Sequence, residues 1–451
     1  MAVTIIEQPR FSCALAAQQT VLAIPRALPI VHAGPGCSAK ISGFAVTGAG
    51  HQGEGFGGGS QVSSTNTSES EVVFGGEDKL RDLIGAAMKV LNGDLYVVLS
   101  GCTSGIIGDD VAQVASDFKD EGHPILGVDT SGFKGNSYVG HELVIQEIIR
   151  QFVGNVTPNV RKGTVNLFSV VPYQNPFWRF ELEELKRILN GIGFRVNVLF
   201  GAGSAGVSEW KDIPNAQFNL VLNSWVGLET AQLLKEQYKT PYLHIPYLPV
   251  GAKAASGFLR TVTEFAGADK GKTEAFIAAE EKRFYNYFVD LADFISELHN
   301  NIPYELYTVA DSTYALGVSD YLVNELGFEP KGVYVTDDPN FDSVKIIEET
   351  FRRFGPEFEG KLTLTPDGGQ IQQHIIETLA GSKKALIMGS AWEDDLAKET
   401  RNLSVHLSLP LSNDVIITRG FAGYNGGLRL TEEIYAGVFR RGNIAQTTQT
   451  L

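Results

Sequence analysis

Short apolar runs alternate along most of the chain with segments whose apolar residues recur at helical spacing. LYVVLS (95–100), HPILGVDT (123–130), TVNLFSVV (164–171), RVNVLF (195–200), FNLVLNS (218–224) and PYLHIPY (241–247) read as strands. ELYTVAD (305–311), GVYVTD (332–337), KLTLTP (361–366) and KALIMGS (384–390) continue the series. Helices are predicted between them over 77–91, 176–191, 226–238, 342–354 and 370–379, with a long one over 273–299 and a glycine-led one within 420–439. Strand and helix alternating almost throughout predict an α/β protein of parallel sheets flanked by helices. The runs group into three Rossmann-like domains, at 1–160, 161–303 and 304–451, the last including the C-terminal helix. Residues 1–60 differ: they are rich in glycine and small side chains, with HQGEGFGGGSQ (51–61) the loosest stretch. They predict a mobile N-terminal arm. No repeat of 20–50 residues is visible.

Composition narrows the class. Of 451 residues 43% are hydrophobic and 20% charged, a globular balance, and the formal net charge is −15. No basic stripe offsets that charge, which argues against nucleic acid as a partner. No apolar run is long enough to predict a membrane span. MAVTIIEQPRF lacks the charged and apolar regions of a secretory signal. An odd number of cysteines without such a signal fits a reducing cytoplasm.

The three cysteines are Cys13 in FSCALAAQQ, Cys37 in VHAGPGCSAK and Cys102 in VLSGCTSGIIGDD, all in the first quarter of the chain. Each sits beside glycine or small residues, where backbone passes close to a bulky object and exposes N–H donors. Soft-metal ligation of iron–sulfur type is one reading. Three buried free thiols are another, because free cysteine is among the most buried residue types. A Cys–His nucleophile is a third, although no histidine is paired with a given cysteine by sequence. Separations of 24 and 65 positions fit neither a zinc-finger nor a ferredoxin pattern. Three thiolates leave a metal site incomplete, so the metal reading calls for a fourth ligand or a second subunit.

Other features carry less. His32 precedes Cys37 by five positions and is either a neighbour of the metal site or a hydrogen-bonded structural histidine. Asp109–Asp110 suit helix capping better than Mg²⁺ binding. GEGFGGGS is not followed by a lysine plus serine or threonine at the spacing of a P-loop. The acidic stretches SESE (68–71) and EDKLRD (77–82) read as a docking surface for a partner or as a solvated helix start.

HAGPGC, then SESEVVFGGEDKL (68–80), then GCTSGIIGDD (101–110), in that order, resemble the nitrogenase component 1 family. GFKGNSYVGHE (132–142) and the late GFAGYNGG turn extend the likeness over nearly the whole chain. In that family each of two related subunits gives three cysteines to a shared [8Fe–7S] P-cluster, and Cys13, Cys37 and Cys102 fall on those positions. The resemblance implies those three as cluster and metal ligands, with Gly36, Gly101, Ser131 and Gly132 around them. A [4Fe–4S] cluster, needing one further ligand, is the alternative. It also implies an α₂β₂ heterotetramer with a cofactor-bearing α-type subunit, served by an ATP-dependent [4Fe–4S] reductase.

The family's α subunits hold the active-site cofactor through a cysteine and a histidine, where this chain has Asn223 or a neighbour and Ala422. It therefore resembles the β-type subunit, with no catalytic residue of its own. Gly132 stands where β subunits of molybdenum nitrogenase carry a serine that ligates the oxidised cluster, with Ser131 one residue earlier. The resemblance leans toward a nitrogenase-like reductase such as methylthio-alkane reductase. β subunits of vanadium- or iron-only nitrogenase are its nearest rivals. A cofactor-assembly scaffold and a metal-free small-molecule binding protein are the remaining alternatives.

Overall fold

The computed structural model describes residues 6–52 and 62–447. The glycine-rich stretch at 53–61, and with it most of the predicted loosest segment, lies outside the described residues. Among the described residues thirteen strands form three sheets in which every pairing is parallel.

The first sheet contains β1 (Ala27–His32), β2 (Ser63–Ser64), β3 (Leu95–Ser100) and β4 (Ile125–Val128), in the order β2-β1-β3-β4. The second contains β5 (Arg161–Phe168), β6 (Arg195–Asn197), β7 (Ala216–Val221) and β8 (Tyr242–His244), in the order β6-β5-β7-β8. The third contains β9 (Glu305–Ala310), β10 (Glu329–Val335), β11 (Leu362–Leu364), β12 (Ala385–Gly389) and β13 (Leu403–His406), in the order β11-β10-β9-β12-β13. Central strands such as β1 and β3 are buried at every residue, as parallel sheets covered on both faces require. In each sheet the chain leaves its central strand in one direction and later returns on the other side. That reversal opens a crevice at the carboxyl ends of the strands. Among the described residues no helix is long and apolar enough to cross a membrane.

Parts of the N-terminal arm are built into the fold. Residues 7–16 are tied to the rest of the molecule by hydrogen bonds, and β1 is a central strand of the first sheet. The small residues there pack closely against neighbouring backbone, which a reading based on large apolar side chains overlooks. The same reason hid the helix Gly251–Ala266 (GAKAASGFLRTVTEFA), which packs against the C-terminal helix Gly423–Thr447. The helix predicted over 273–299 begins earlier and is broken at Leu291, giving Lys270–Asp290 and Ala292–Leu298.

Buried acids link the three sheets. Glu142 accepts hydrogen bonds from Gly227 N–H and from Thr230. Glu181 accepts from Tyr314 at 2.9 Å and from the backbone of Phe421 and Ala422. Asp311 accepts from Asn175 at 2.9 Å, and Asp337 from Trp225 and Ser312 at 2.7 Å each. Burial pushes the Glu181 carboxyl up to about 7. It also raises Asp311, Asp337 and Glu142 above the usual carboxylate range.

In the unfolded chain these groups ionise near pH 4, so the folded state holds protons that unfolding releases. Their contribution to stability is complete below about pH 4 and is lost as pH rises through the folded values. His406, held by Asp394 and Asp414, is raised to about 9 and loses its contribution in the same direction. Burial lowers His141 to about 3, and it lowers His244 too; both act below about pH 6.5 and oppose this trend there. The melting temperature should therefore fall steadily from about pH 6.5 to about pH 9 when followed by calorimetry at constant ionic strength. A flat or rising profile over that range would contradict the assignment of these buried protons.

Candidate cluster-binding site

The cysteines reach one place because two central strands end together. His32 closes β1 and Ser100 closes β3, and the two are register partners. Gly101 N–H then donates to the His32 carbonyl at 2.9 Å. A Cβ at Gly101 would lie 2.5 Å from the Cβ of Ala33, so only glycine lets the two turns touch. From this contact one chain path enters the helix Pro35–Thr47, with Cys37 in its first turn. The other enters the helix Cys102–Ile107, which Cys102 opens.

The turn after β4 supplies the next wall. Asp129 accepts from Ser100 Oγ at 2.7 Å and from Ser131 N–H at 3.1 Å, pinning this turn to the end of β3. Gly132 N–H donates to Cys102 Sγ at 3.2 Å. A Cβ at Gly132 would lie 2.9 Å from Cys102 Sγ, 3.4 Å from Cys13 Cβ and 4.0 Å from Cys13 Sγ. The missing side chain is thus the space between two thiols. Cys13 arrives from the N-terminal strap, pairing antiparallel with Asn136, while Ala14 N–H donates to Gly135 O at 3.0 Å. The following turn, Ala14–Ala16, packs on both Gly132–Lys134 and the helix of Cys37.

Cys13 and Cys37 are exposed and Cys102 is half-buried, so the thiols are not core residues. Protein on the inner side of Cys13 removes solvent and raises its thiol, and the neighbouring Cys102 and Cys37 push it the same way. Among the described residues no three His, Cys, Asp or Glu side chains converge to hold a single metal ion. The thiols instead border a shared surface at the ends of three adjacent strands, an arrangement suited to a polynuclear group whose irons lie apart. A Gly132 backbone donor to sulfur and an open Gly36, with nothing within 4 Å of its Cβ direction, are compatible with a bulky sulfur-rich group. Large apolar side chains stand exposed in the same region: Phe74 at 88%, Ile106 at 72% and Phe133 at 71%. Neighbouring exposed apolar residues of this size mark an interaction surface.

The other candidate residues make the following contacts. Gly101 serves close packing and faces Ala33. Ser131 is buried, its side chain bonded to Asp129 and its Cβ set against Gly105. His32 is structural: it bonds Thr65 at 3.1 Å and Asp109 at 2.8 Å. Asp110 caps the helix Val111–Asp120 by accepting from Ala112 and Gln113. Asp109 does not cap that helix. It accepts from His32 and from Gly76 N–H at 3.0 and 3.1 Å, joining the IGDD and VFGG segments. Much of the acidic stretch is used internally. Glu71 accepts from Ser68 and pairs with Lys79, and Glu77 accepts from Asp110 N–H. Neither the link between Asp109 and Gly76 nor the exposed apolar rim is evident in the sequence. The first joins positions 33 residues apart, and exposure leaves no mark on a one-dimensional pattern.

This fold and site define a class. The chain belongs to the nitrogenase component 1 type oxidoreductases, whose family model matches residues 12–439. One relative is the light-independent protochlorophyllide reductase of Leptolyngbya boryana, whose B chain is 25% identical over 381 residues, covering 80% of this chain and 70% of its own length. Another is the nitrogenase iron-iron protein beta chain of Rhodobacter capsulatus, 26% identical over 286 residues, with coverage of 57% and 59%. The solved structure of nitrogenase Cp1 at pH 6.5 shares the fold with a TM-score of 0.79 at 20% identity, over 98% of this chain and 94% of that one.

The Asp109 link yields a test. A Cβ at Gly76 would lie 2.7 Å from Asp109 Oδ2 and 2.8 Å from His32 Cε1. Gly76→Ala should destabilise the chain by about 1–3 kcal/mol in denaturant unfolding. An unchanged midpoint would show that the two segments are not held this way.

Proposed function

We propose that this chain is the β-type subunit of a nitrogenase-like two-component reductase, relaying electrons to a cofactor held by an α-type partner in an α₂β₂ heterotetramer. The observation that carries this reading is the gathering of Cys13, Cys37 and Cys102 at the carboxyl ends of the first sheet's strands, with Cys13 and Cys37 exposed and Cys102 half-buried. Those thiols would hold part of a P-cluster-like [8Fe–7S] group, or a [4Fe–4S] group completed by one further ligand. Such a cluster supplies single-electron transfer at sulfur-ligated iron. The chain's own part is to supply thiolates from three differently anchored turns, a backbone donor at Gly132 and an apolar rim. Phe133, beside Gly132, suits contact with the partner. Phe74 and Ile106 offer a dry surface to an ATP-dependent [4Fe–4S] reductase.

Asn223 and Ala422 support the β-type assignment. Asn223 is spent on Trp225 and Val226 N–H and on the Ser169 carbonyl, and Ala422 is fully buried against Glu181. Neither offers a sulfur or imidazole ligand. Phe177, Tyr314 and Phe421 fill the junction beside Glu181 with packed rings.

The favoured reaction is reductive C–S cleavage of methylthio-alkanes. Gly132 leaves no hydroxyl between the thiols, and Ser131 is turned to Asp129, so redox-linked serine ligation is not expected. A second reading, an N₂-reducing β subunit, is supported by the iron-iron protein beta chain among the relatives. Protochlorophyllide belongs among the substrates to test for the same reason.

The test is anaerobic co-isolation with the partner subunit, iron and sulfide assay, and turnover of methylthio-alkane, N₂ and protochlorophyllide side by side. Iron-loaded complex with C–S cleavage is expected. Iron-loaded complex without turnover would indicate an assembly scaffold, and a folded, colourless, iron-free complex a metal-free binding protein. Cys37→Ala should lose cluster iron and heterotetramer together, because the site bridges chains. Full iron content and unchanged activity in that variant would contradict its role as a ligand.

A further inference from the structure

Cys13 stands apart from the other two cysteines in how it is held. Cys37 and Cys102 begin helices that follow central strands of the first sheet. Cys13 lies on a strap whose preceding residues belong, by contact, to the third sheet's helices. Glu7 N–H donates to Asp367 Oδ1 at 3.3 Å, and Gly368 N–H donates to Glu7 O at 2.7 Å. Arg10 is buried, and its guanidinium donates to Ser390 Oγ at 3.0 Å and pairs with fully buried Glu393. It also lies over the Trp392 ring, 4.4 Å from its centroid. Phe11 then packs with Tyr138, Trp225 and Val226. Only after these contacts does the strap reach Cys13 and pair with Asn136.

A buried ion pair is a poor device for stability, since desolvating two charges offsets most of their attraction. Here Arg10 Nε has no hydrogen-bond partner among the described residues. What the pair supplies is a fixed place, because a forked donor meeting two acceptors beneath an indole permits little freedom. We propose that Arg10 is a positioning residue for Cys13: its pairing with Glu393 and Ser390 anchors the strap to the third sheet's helices and sets the distance from the Cys13 thiol to that of Cys102. The first sheet alone then presents two thiols, and docking of the strap supplies the third. The proposed cluster role gives this anchoring its purpose, and in that sense the inference rests on it. The positioning itself is measurable without iron.

The experiment uses the full metal-free chain and the bifunctional thiol reagent dibromobimane, which links two thiols held a few ångströms apart. Wild type should link Cys13 to Cys102. Arg10→Met should lower that yield about fivefold or more while leaving single-site alkylation of Cys102 unchanged, because a freed strap visits many positions. Arg10→Lys, which retains the charge but not the fork, should recover part of the yield. A purely structural role would instead change both thiols together or neither. Wild-type yield in folded Arg10→Met overturns the proposal.

If Arg10→Met does not fold, the pair Arg10→Met/Glu393→Leu removes both charges and is read the same way. Hydrogen exchange on the unaltered chain is a check independent of any variant. The amides of Ala14 and Gly368 should be protected alike, and much faster exchange at Ala14 contradicts anchoring. Full iron in a Cys13→Ala complex would remove the ligand reading and leave the cross-linking result standing, so the two failures are distinct.

Discussion

Everything in the site follows from one constraint: two parallel central strands end in register and their turns must touch. The Gly101 N–H to His32 carbonyl bond closes that contact, and the absent Cβ at Gly101 permits it. Once the turns are in contact, the helices that follow must start side by side, and each carries a cysteine at its start. The neighbouring strand adds a turn fastened by Asp129, and that turn leaves a glycine-sized gap between Cys102 and Cys13. Placement of the Cys37 and Cys102 sulfurs is thus a consequence of sheet register and needs no long, flexible side chain.

The surrounding polar contacts serve this placement. His32, Asp109 and Gly76 form a buried chain that ties the end of β1 to the VFGG turn and the IGDD turn. Farther away, buried acids at the junctions between sheets accept several donors each, so the three sheets are fixed relative to one another by hydrogen bonds as well as apolar packing. That rigidity matters for Cys13, whose strap draws its anchor from a different sheet than its neighbours do. It also suits electron relay, in which ligand atoms that move little keep the cost of each transfer small.

Much of this was legible in the amino-acid sequence. The strands of the second sheet and four of the five in the third stand out as apolar runs, and LYVVLS coincides with β3, whereas β13 (Leu403–His406) was not predicted. The three cysteines and the glycines at 101 and 132 were visible as a set. What stayed hidden depends on contacts distant along the chain or on small side chains. The central strand ALPIVH and the helix at Gly251–Ala266 carry small or interrupted apolar patterns. Asp109 looked like a cap, yet its partners are 33 and 77 residues away. Gly101 also serves close packing against Ala33, a contact the sequence does not show. Arg10 gave no signal, because nothing in EQPRFSC shows that Glu393 waits 383 residues later.

At the centre stands the claim that this chain presents sulfur to iron at a face shared with another subunit. Anomalous diffraction at the iron edge, from anaerobic crystals of the complex, tests it most directly. Iron peaks are expected within bonding distance of Cys13, Cys37 and Cys102, with ligands of the partner subunit on the far side. A folded complex with no iron peak at those thiols, or with iron bound only elsewhere, would contradict it.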